Sequence, residues 1–159
     1  PKVEAEIAFV LKDDLTGPGC HIGDVLAATD FVMPAVEVID SRYKDFKFDL
    51  KSVIADNSSS SRYVTGGRAR KVEDLDLKTL GVVMEINGEV VQLGAGAAVL
   101  GHPATAIAML ANMMGERDEV LKAGSYILSG AITAATTVNK GDNVTVKFQD
   151  LGNLSFKFV

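Results

Sequence analysis

The stretch Val3–Val10 reads VEAEIAFV and alternates apolar residues with other residues at a period of two. Such alternation is typical of a β-strand with one face turned to the core. Glu4 and Glu6 share a face of this strand, roughly 6–7 Å apart at about 3.3 Å per residue. Ala8 and Val10 continue that face as apolar surface. Two neighbouring carboxylates beside apolar side chains indicate a pocket for a cation, and the alternative is a solvated edge strand.

The length and composition of the chain predict a single acidic domain. The chain has 159 residues, enough for a single domain with a substantial core. A net charge of −5 argues against a nucleic-acid-binding surface. The single cysteine, Cys20, excludes an intramolecular disulfide and is typical of a reducing compartment, so we expect a cytoplasmic protein. No basic segment followed by an apolar one opens the sequence, so we expect no signal peptide.

One uncharged segment, Leu93–Gly115, is long enough to span a bilayer. Gly94, Gly96, Gly101 and Pro103 interrupt it, which predicts a glycine-rich turn followed by a short helix. We therefore expect a buried core segment rather than a membrane span.

A third carboxylate, Glu37, lies among apolar neighbours on a second predicted strand, Phe31–Ile39. Pro34 predicts that this strand lies near an edge or that Pro34 lies at its start. Carboxylate oxygens are the ligands that Mg²⁺ and Mn²⁺ prefer. Glu37 can join Glu4 and Glu6 in such a site only if the two strands are neighbours.

The remaining elements are mostly strands. Asn87-Gly88 between two alternating runs, Leu80–Leu93, is the strongest short hairpin signal, since both turn positions require positive φ. Further predicted elements are a helix from its cap Asp24 to Thr29, a strand start at Val53 that runs into a polar loop ending at Gly67, a helix from Pro103 ended by Gly115, a buried strand Ser125–Thr133, and a terminal antiparallel pair Val144–Phe148 and Leu154–Phe158. With no βαβ rhythm, this order predicts an α+β fold, mostly β, built as a roll or sandwich with one or two short helices packed on it.

Few other side chains in the sequence qualify for catalysis. His21 follows Cys20 in a loop, and the side chains of such a dipeptide do not turn easily onto one substrate. His102, just before Pro103, is expected to cap a helix or to pack. Ser59 has no general base nearby in sequence, which disfavours a serine nucleophile. The sequence also lacks a P-loop, a dinucleotide-binding fingerprint and zinc-type Cys/His spacing. We expect Met109, Leu110, Met113 and Met114 to pack into the core.

Several long stretches together resemble one known family. They are VEAEIAFV (3–10), AVEVIDSR (35–42), IADNSSS (54–60), GAGAAVLGHPATAIAMLAN (94–112) and SGAITAA (129–135). Through them the chain resembles the hydratase/decarboxylase branch of the fumarylacetoacetate hydrolase superfamily from Pro1 to Val159. The resemblance implies that branch's β roll, with residues 1–159 as a single C-terminal catalytic-type domain. It also implies an upstream segment that carries a lysine and an acidic residue of the active site.

The resemblance implies a site for Mg²⁺ or Mn²⁺ and a set of substrate contacts. The matching residues are Glu4, Glu6 and Glu37 for the metal, and Asn57, Ser59 and Thr133 for the substrate. Position 58 is serine where the family pattern more often has alanine, a small change. Because Glu4 is only the fourth residue of the sequence, we expect more protein upstream of Pro1 to support this site.

The activity implied is a metal-dependent carboxy-lyase step, the decarboxylation of 2-oxo-3-hexenedioate to 2-hydroxypenta-2,4-dienoate and CO₂ in catechol meta-cleavage. The distal carboxylate of this substrate needs a cation or hydrogen-bond donors. Arg42, Lys47 and Arg62 are candidates, and each is otherwise an ordinary surface charge.

Two alternatives stay open. One is hydration of 2-hydroxypenta-2,4-dienoate (vinylpyruvate) with the same metal, and the other is a non-catalytic assembly subunit or inactive fragment. The resemblance further implies a homo- or hetero-oligomer with the vinylpyruvate hydratase as partner.

Overall fold

Two antiparallel sheets and three helices make up the fold in the computed structural model, which describes residues 1–159. The strands are β1 (Lys2–Leu11), β2 (Thr29–Ile39), β3 (Ser60–Thr65), β4 (Gly81–Ile86), β5 (Glu89–Ala95), β6 (Tyr126–Leu128), β7 (Thr136–Thr137), β8 (Asn143–Phe148) and β9 (Gly152–Lys157), and the helices are α1 (Ile22–Ala28), α2 (Leu50–Ala55) and α3 (Pro103–Gly115). The first sheet has the order β3-β2-β1-β6, with β7 also paired to β1, and the second has the order β5-β4-β8-β9. The predicted α+β, mostly β architecture is confirmed.

β1 lies in the middle of the first sheet, with β2 on one side and β6 and β7 on the other. Val3, Ala5, Ile7 and Phe9 have no exposed surface, and Ala8 on the opposite face is also fully buried. The prediction of a half-buried strand therefore holds only near its start. The edge-strand alternative is wrong, because both sides of β1 are paired.

One core joins both sheets and the longest helix. Its largest fully buried side chains are Phe9, Ile7 and Leu11 of β1, Met84 of β4, Ile107 of α3 and Leu151. Burying a side chain of this size stabilises the fold by about 1.5–3 kcal/mol. β1 supplies three of the six, so the strand that carries Glu4 and Glu6 is held firmly by packing.

Pro34 occupies an interior position of β2 instead of the predicted edge or start. β3 pairs only with Ala35 to Ile39 of β2, and the next backbone pair on that side joins Val32 to Arg70. Pro34 lies in the gap between them, where its carbonyl accepts the N–H of Gly66. Its missing N–H therefore removes no bond between paired strands.

The segment between β2 and β3 differs most from the sequence prediction. Val53 lies in α2 rather than in a strand, because the Asp49 carboxylate accepts the Ser52 N–H at 2.8 Å and caps a helix there. The predicted polar loop is also wrong, since Ser60 begins β3.

The hairpin and the terminal strand pair are confirmed as β4–β5 and β8–β9. Asn87 and Gly88 both have positive φ, as the two-residue turn requires. The predicted strand Ser125–Thr133 is shorter than expected, since only Tyr126–Leu128 forms β6. The rest of that segment runs beside β1 as an irregular chain.

Both histidines cap helices. His21, rather than Asp24, is the cap of α1: its side chain accepts the Asp24 N–H, and the Asp24 carboxylate accepts the His21 N–H at 2.9 Å. His102 caps α3, whose first residue is Pro103, as predicted.

The buried face of α3 is made of small residues and one isoleucine, namely Pro103, Ala104, Ile107, Ala108 and Ala111. Met109, Leu110 and Met113 are between 39% and 52% exposed, so the prediction that they pack in the core is wrong. The apolar segment Gly96–Gly115 is long and apolar enough to cross a membrane by length and composition. Within it α3 has 13 residues, or about 20 Å, against a hydrocarbon core of about 30 Å.

Candidate metal centre

Three carboxylates meet on one face of the first sheet. Glu4 of β1 lies opposite Glu37 of β2, and Glu6 shares the face of Glu4 two residues further along. Three carboxylate oxygens, one from each side chain, all lie within 4.8 Å of one another. This spacing suits simultaneous contact with one oxygen-preferring cation. The structure thus brings together the three residues that the sequence and the resemblance singled out.

Glu6 is the most enclosed of the three carboxylates. Glu6 is only 2% exposed, and its Oε2 accepts the N–H of Gly130 at 2.7 Å. Burial raises the pKa of Glu6 to about 8, and the nearby charges of Glu37 and Glu4 act in the same direction, while the Gly130 N–H opposes the rise.

Glu4 is half-buried and also has a raised pKa. Burial is the main cause and the charge of Glu37 the second, whereas the Lys2 ammonium acts in the opposite direction. None of the three carboxylates forms an ion pair with a lysine, arginine or histidine. Clustered carboxylates without a cation must take up protons or bind a cation. An all-oxygen, acidic set of donors fits a hard divalent ion such as Mg²⁺ or Mn²⁺.

The segment from Ser129 to Thr133 supports this centre from the far end of the sequence. The Thr133 hydroxyl accepts the Ala5 N–H at 3.2 Å, and the Ser129 hydroxyl accepts the Ile7 N–H at 3.3 Å. Two backbone bonds run the other way, from Ser129 N–H to the Ile7 carbonyl and from Ile132 N–H to the Ala5 carbonyl. These bonds hold Gly130 against Glu6.

A second buried carboxylate, Asp56, organises the loop that carries Asn57 and Ser59. Arg42 donates to Asp56 Oδ1 at 2.8 Å, and the hydroxyls of Ser59 and Ser41 donate to Oδ2 at 2.7 and 2.9 Å. The Arg42 guanidinium is the main reason that the pKa of Asp56 lies well below its usual range, and the Ser59 hydroxyl is the second.

The predicted substrate contacts differ in their exposure and in the hydrogen bonds that their side chains already make. Thr133 is bound to Ala5 through its oxygen, so its own O–H remains available to donate. Ser59 is buried and donates to Asp56, whereas Asn57 is exposed at a positive φ of 54°. The Ser59 carbonyl accepts the N–H of Asp40, at the end of β2 that also carries Glu37.

The three cations proposed for the distal carboxylate differ in their surroundings. Arg42 is committed to Asp56. Lys47 is exposed beyond the 3₁₀ turn that follows β2, and Arg62 lies on β3 opposite Val38, whose face is opposite to that of Glu37. No ion pair or hydrogen bond joins any of the three to Glu4, Glu6 or Glu37.

Sequence reasoning missed two groups, Gly130 and Asp56. Gly130 acts through its backbone N–H, which no side-chain pattern encodes. Asp56 lies in the quoted IADNSSS stretch, and its neighbours Asn57 and Ser59 drew attention instead. An aspartate beside serines usually bonds its own turn, and the Ser59 contact is of that kind. The long-range Arg42 contact had no local signal.

The sequence matches one known protein family along its whole length. A family model described as "Fumarylacetoacetate (FAA) hydrolase C-terminal" matches residues 1–159. The chain belongs to the fumarylacetoacetate hydrolase family. A 4-oxalocrotonate decarboxylase of Pseudomonas putida is 66% identical over 159 residues, which are 100% of this chain and 60% of that protein. A 2-hydroxyhexa-2,4-dienoate hydratase of Comamonas testosteroni is 41% identical over 158 residues, covering 99% of this chain and 60% of that protein.

A solved structure supports the same assignment of the fold. The 4-oxalocrotonate decarboxylase from Pseudomonas putida G7, complexed with magnesium and adipate, has a TM-score of 0.96 and 62% identity to this chain. The match covers 99% of this chain and 60% of that one. The chain thus spans about 60% of the length of the relatives it matches. The predicted family and its β roll are confirmed.

Proposed function

We propose that this chain carries the metal-binding part of a decarboxylase that converts 2-oxo-3-hexenedioate (4-oxalocrotonate) to 2-hydroxypenta-2,4-dienoate and CO₂. The observation that carries the proposal is the group of Glu4, Glu6 and Glu37, which lies on one face of the first sheet and forms no ion pair with a lysine, arginine or histidine. Identity of 66% to a decarboxylase, against 41% to a hydratase, favours this member of the family.

The three carboxylates would hold Mg²⁺ or Mn²⁺, and a relative of 62% identity is complexed with magnesium. When bound, such an ion acts as a Lewis acid and stabilises negative charge on a substrate oxygen by several kcal/mol. The Gly130 N–H fixes the orientation of Glu6, because it donates to one oxygen and leaves the other free. Burial of Val3, Ala5 and Ile7 on the opposite face of β1, together with its pairing to β2 and β6, keeps Glu4 and Glu6 in place.

The reaction needs no covalent nucleophile. The bond that breaks joins C5 to the distal carboxylate, and its electron pair moves through the conjugated C3–C4 unit to the C2 oxygen. The products are CO₂ and a dienolate, which takes up one proton. Donors near the C2 oxygen stabilise the developing charge. We propose the free O–H of Thr133 and the exposed amide of Asn57 for this role, with Ser59 placing the Asn57 loop.

The hydratase alternative rests on the 41% identical relative, which has a similar domain. Incubating the magnesium-loaded protein with 2-oxo-3-hexenedioate and measuring released CO₂ distinguishes the two. We expect CO₂ release that chelation with EDTA abolishes. Consumption of 2-hydroxypenta-2,4-dienoate without CO₂ release from the dicarboxylate would instead establish the hydratase.

A non-catalytic assembly role is the third reading, and the retained carboxylates argue against it. Magnesium binding that Glu4→Ala abolishes together with CO₂ release would eliminate that reading. Magnesium binding without any turnover would favour it.

We also propose that the protein works in the cytoplasm, in a homo- or hetero-oligomer with the pathway's vinylpyruvate hydratase. A decarboxylase and a hydratase both match this domain, which supports related surfaces in the two enzymes. The free, buried thiol of Cys20 agrees with a reducing compartment. Co-purification of the two proteins at a fixed ratio tests the partnership, and separate elution would contradict it.

A further inference from the structure

The glycine-rich segment Gly94–Val99 ends β5 and leads toward α3. It begins the longest stretch of sequence that resembles the family, and none of the roles described above uses it. Gly94 pairs with Val82 of β4, so the segment is fixed to the second sheet. Its other side contacts the segment Ser129–Thr133, which is hydrogen-bonded to β1 of the first sheet. The second sheet therefore reaches the support of the carboxylate group at this point.

Gly94 allows a close approach between these two segments. A Cβ at this position would lie 2.6 Å from the carbonyl oxygen of Ile132 and 2.9 Å from its Cγ2. Non-bonded carbon atoms pack best at about 3.5–4.0 Å, so a methyl group does not fit unless one backbone moves. The φ of Gly94 is not positive, so space alone requires glycine here.

A second side chain of the glycine-rich segment, Val99, lies beside Gly130. Val99 is buried, and a Cβ built on Gly130 would lie 3.9 Å from its Cγ1, an ordinary van der Waals distance. Gly130 is the residue whose N–H donates to Glu6 at 2.7 Å. The glycine-rich segment thus backs the Ser129–Thr133 segment at two places, Gly130 and Ile132.

The backbones on both sides of the Gly94 contact are held in place. The Gly96 N–H donates to the Leu80 carbonyl at 3.0 Å, which fixes the chain two residues after Gly94. On the far side, the Ile132 N–H donates to a carbonyl of β1 at 2.8 Å. The Ser129–Thr133 segment has no helix or strand of its own, so we expect it to move first when space is lost.

We propose that the second sheet sets the geometry of the metal centre, with Gly94 and Val99 as positioning residues that act through the Gly130 N–H. This inference rests on the proposed metal-binding function. The Gly130 N–H orients one of the three metal ligands, Glu6. Loss of an outer group that orients a metal ligand typically lowers metal affinity about 10–100-fold.

Isothermal titration calorimetry with Mg²⁺ tests the contact at Gly94. Gly94→Ala should weaken Mg²⁺ binding about tenfold, because the displaced segment no longer orients Glu6. The matched control is Gly81→Ala on the neighbouring strand β4, where the nearest atom to the added methyl group, the Gln149 side-chain oxygen, lies 3.6 Å away. We expect this control to bind Mg²⁺ within about twofold of the unmodified protein.

The amide proton of Gly130 reports its hydrogen bond directly. A short bond to a carboxyl oxygen shifts an amide proton downfield in the NMR spectrum. In EDTA we expect this signal to move upfield in Gly94→Ala and to keep its position in Gly81→Ala. The spectrum needs no bound metal. An absence of Mg²⁺ binding in the unmodified protein would therefore refute the proposed function, while the spectrum would still decide the role of Gly94.

A pair of valine substitutions separates positioning from a general loss of stability. Val99→Ala and Val146→Ala remove the same atoms from two buried side chains, and Val146 lies on β8 between β4 and β9. Both should lower the thermal unfolding midpoint. Only Val99→Ala should also weaken Mg²⁺ binding, by a few fold, and shift the Gly130 amide proton.

Two results would overturn the proposal. One is a folded Gly94→Ala variant in which the Mg²⁺ affinity and the Gly130 amide signal are both unchanged. The other is a loss of Mg²⁺ affinity as large in Val146→Ala as in Val99→Ala, which would make the effect one of stability alone. If Gly94→Ala does not fold, the two valine variants decide between positioning and stability through the same titration and spectrum.

Discussion

Glu6 and Asp56 are both buried carboxylates, and the fold treats them in opposite ways. Asp56 receives an arginine, two hydroxyls and a backbone N–H, and its pKa is held well below the usual range. Glu6 receives one backbone N–H and faces two further carboxylates, and its pKa rises to about 8. Neutralisation of Asp56 comes from within the chain, whereas the group around Glu6 needs a proton or a cation from outside. The difference separates a structural carboxylate from one arranged to bind a ligand.

Removing the charge of Glu6 should have the largest effect on the proposed metal centre. We expect Glu6→Gln to abolish metal-dependent turnover and to weaken Mg²⁺ binding by more than about 100-fold, because a ligand and one of three negative charges are lost. The amide oxygen can still accept the Gly130 N–H, so the fold should remain intact. Calorimetric Mg²⁺ titration and CO₂ release measure the effect, with the exposed Glu89→Gln as control. Wild-type activity in Glu6→Gln would refute the metal assignment.

How much of this centre is predictable depends on the range of the contacts. Glu4 and Glu6 follow from alternation within one strand, but Glu37 needed a register between strands that periodicity does not fix. The Asn87-Gly88 hairpin and the Pro103 helix start were predicted because their signals lie within a few residues. α2 was missed because the sequence is strand-like from Val53, while a local cap at Asp49 decides for a helix. Gly130 could not be found, since its contact with Glu6 joins distant parts of the chain through a backbone group.

The stability of the metal-free protein offers the next test. A carboxyl group whose pKa rises from 4.5 in the unfolded chain to about 8 in the fold stabilises the folded protein most in acid. That contribution is complete below pH 4.5 and is lost as the pH rises toward 8. For Glu6 the loss amounts to roughly 3 kcal/mol between about pH 4.5 and pH 7.

The Glu6→Gln variant should lose much less stability as the pH rises, because glutamine does not ionise. Its free energy of unfolding should therefore exceed that of the unmodified protein at pH 7 in EDTA. Urea unfolding at several pH values measures the difference. Mg²⁺ at a concentration that saturates only the unmodified protein should reverse the order, because that protein binds the ion much more tightly. Parallel pH profiles of the two proteins in EDTA would contradict a raised pKa at Glu6.

Asp56 should show the opposite dependence on pH. Because its pKa is lowered in the fold, its contribution is present above the usual range of an aspartate and is lost in acid. We expect Asp56→Asn to lower the thermal unfolding midpoint by several degrees at pH 7 and by less toward acid, as the Arg42 and Ser59 contacts weaken. Mg²⁺ affinity should not change, since Asp56 lies outside the carboxylate group. A loss of Mg²⁺ binding in this variant would show that the two regions are coupled.

Thr133 connects the fold to the proposed centre and gives the smallest expected effect. Thr133→Val keeps the shape of the side chain but leaves the buried Ala5 N–H without its acceptor, which costs about 1–2 kcal/mol. Because the same segment holds Gly130 against Glu6, we also expect a loss of Mg²⁺ affinity of a few fold. Thr133→Ser retains the hydroxyl and should restore both quantities, measured by urea unfolding and calorimetry. If Thr133→Ser weakens Mg²⁺ binding while Thr133→Val does not, the methyl group rather than the hydroxyl positions Gly130, and the bond to Ala5 does not support the centre.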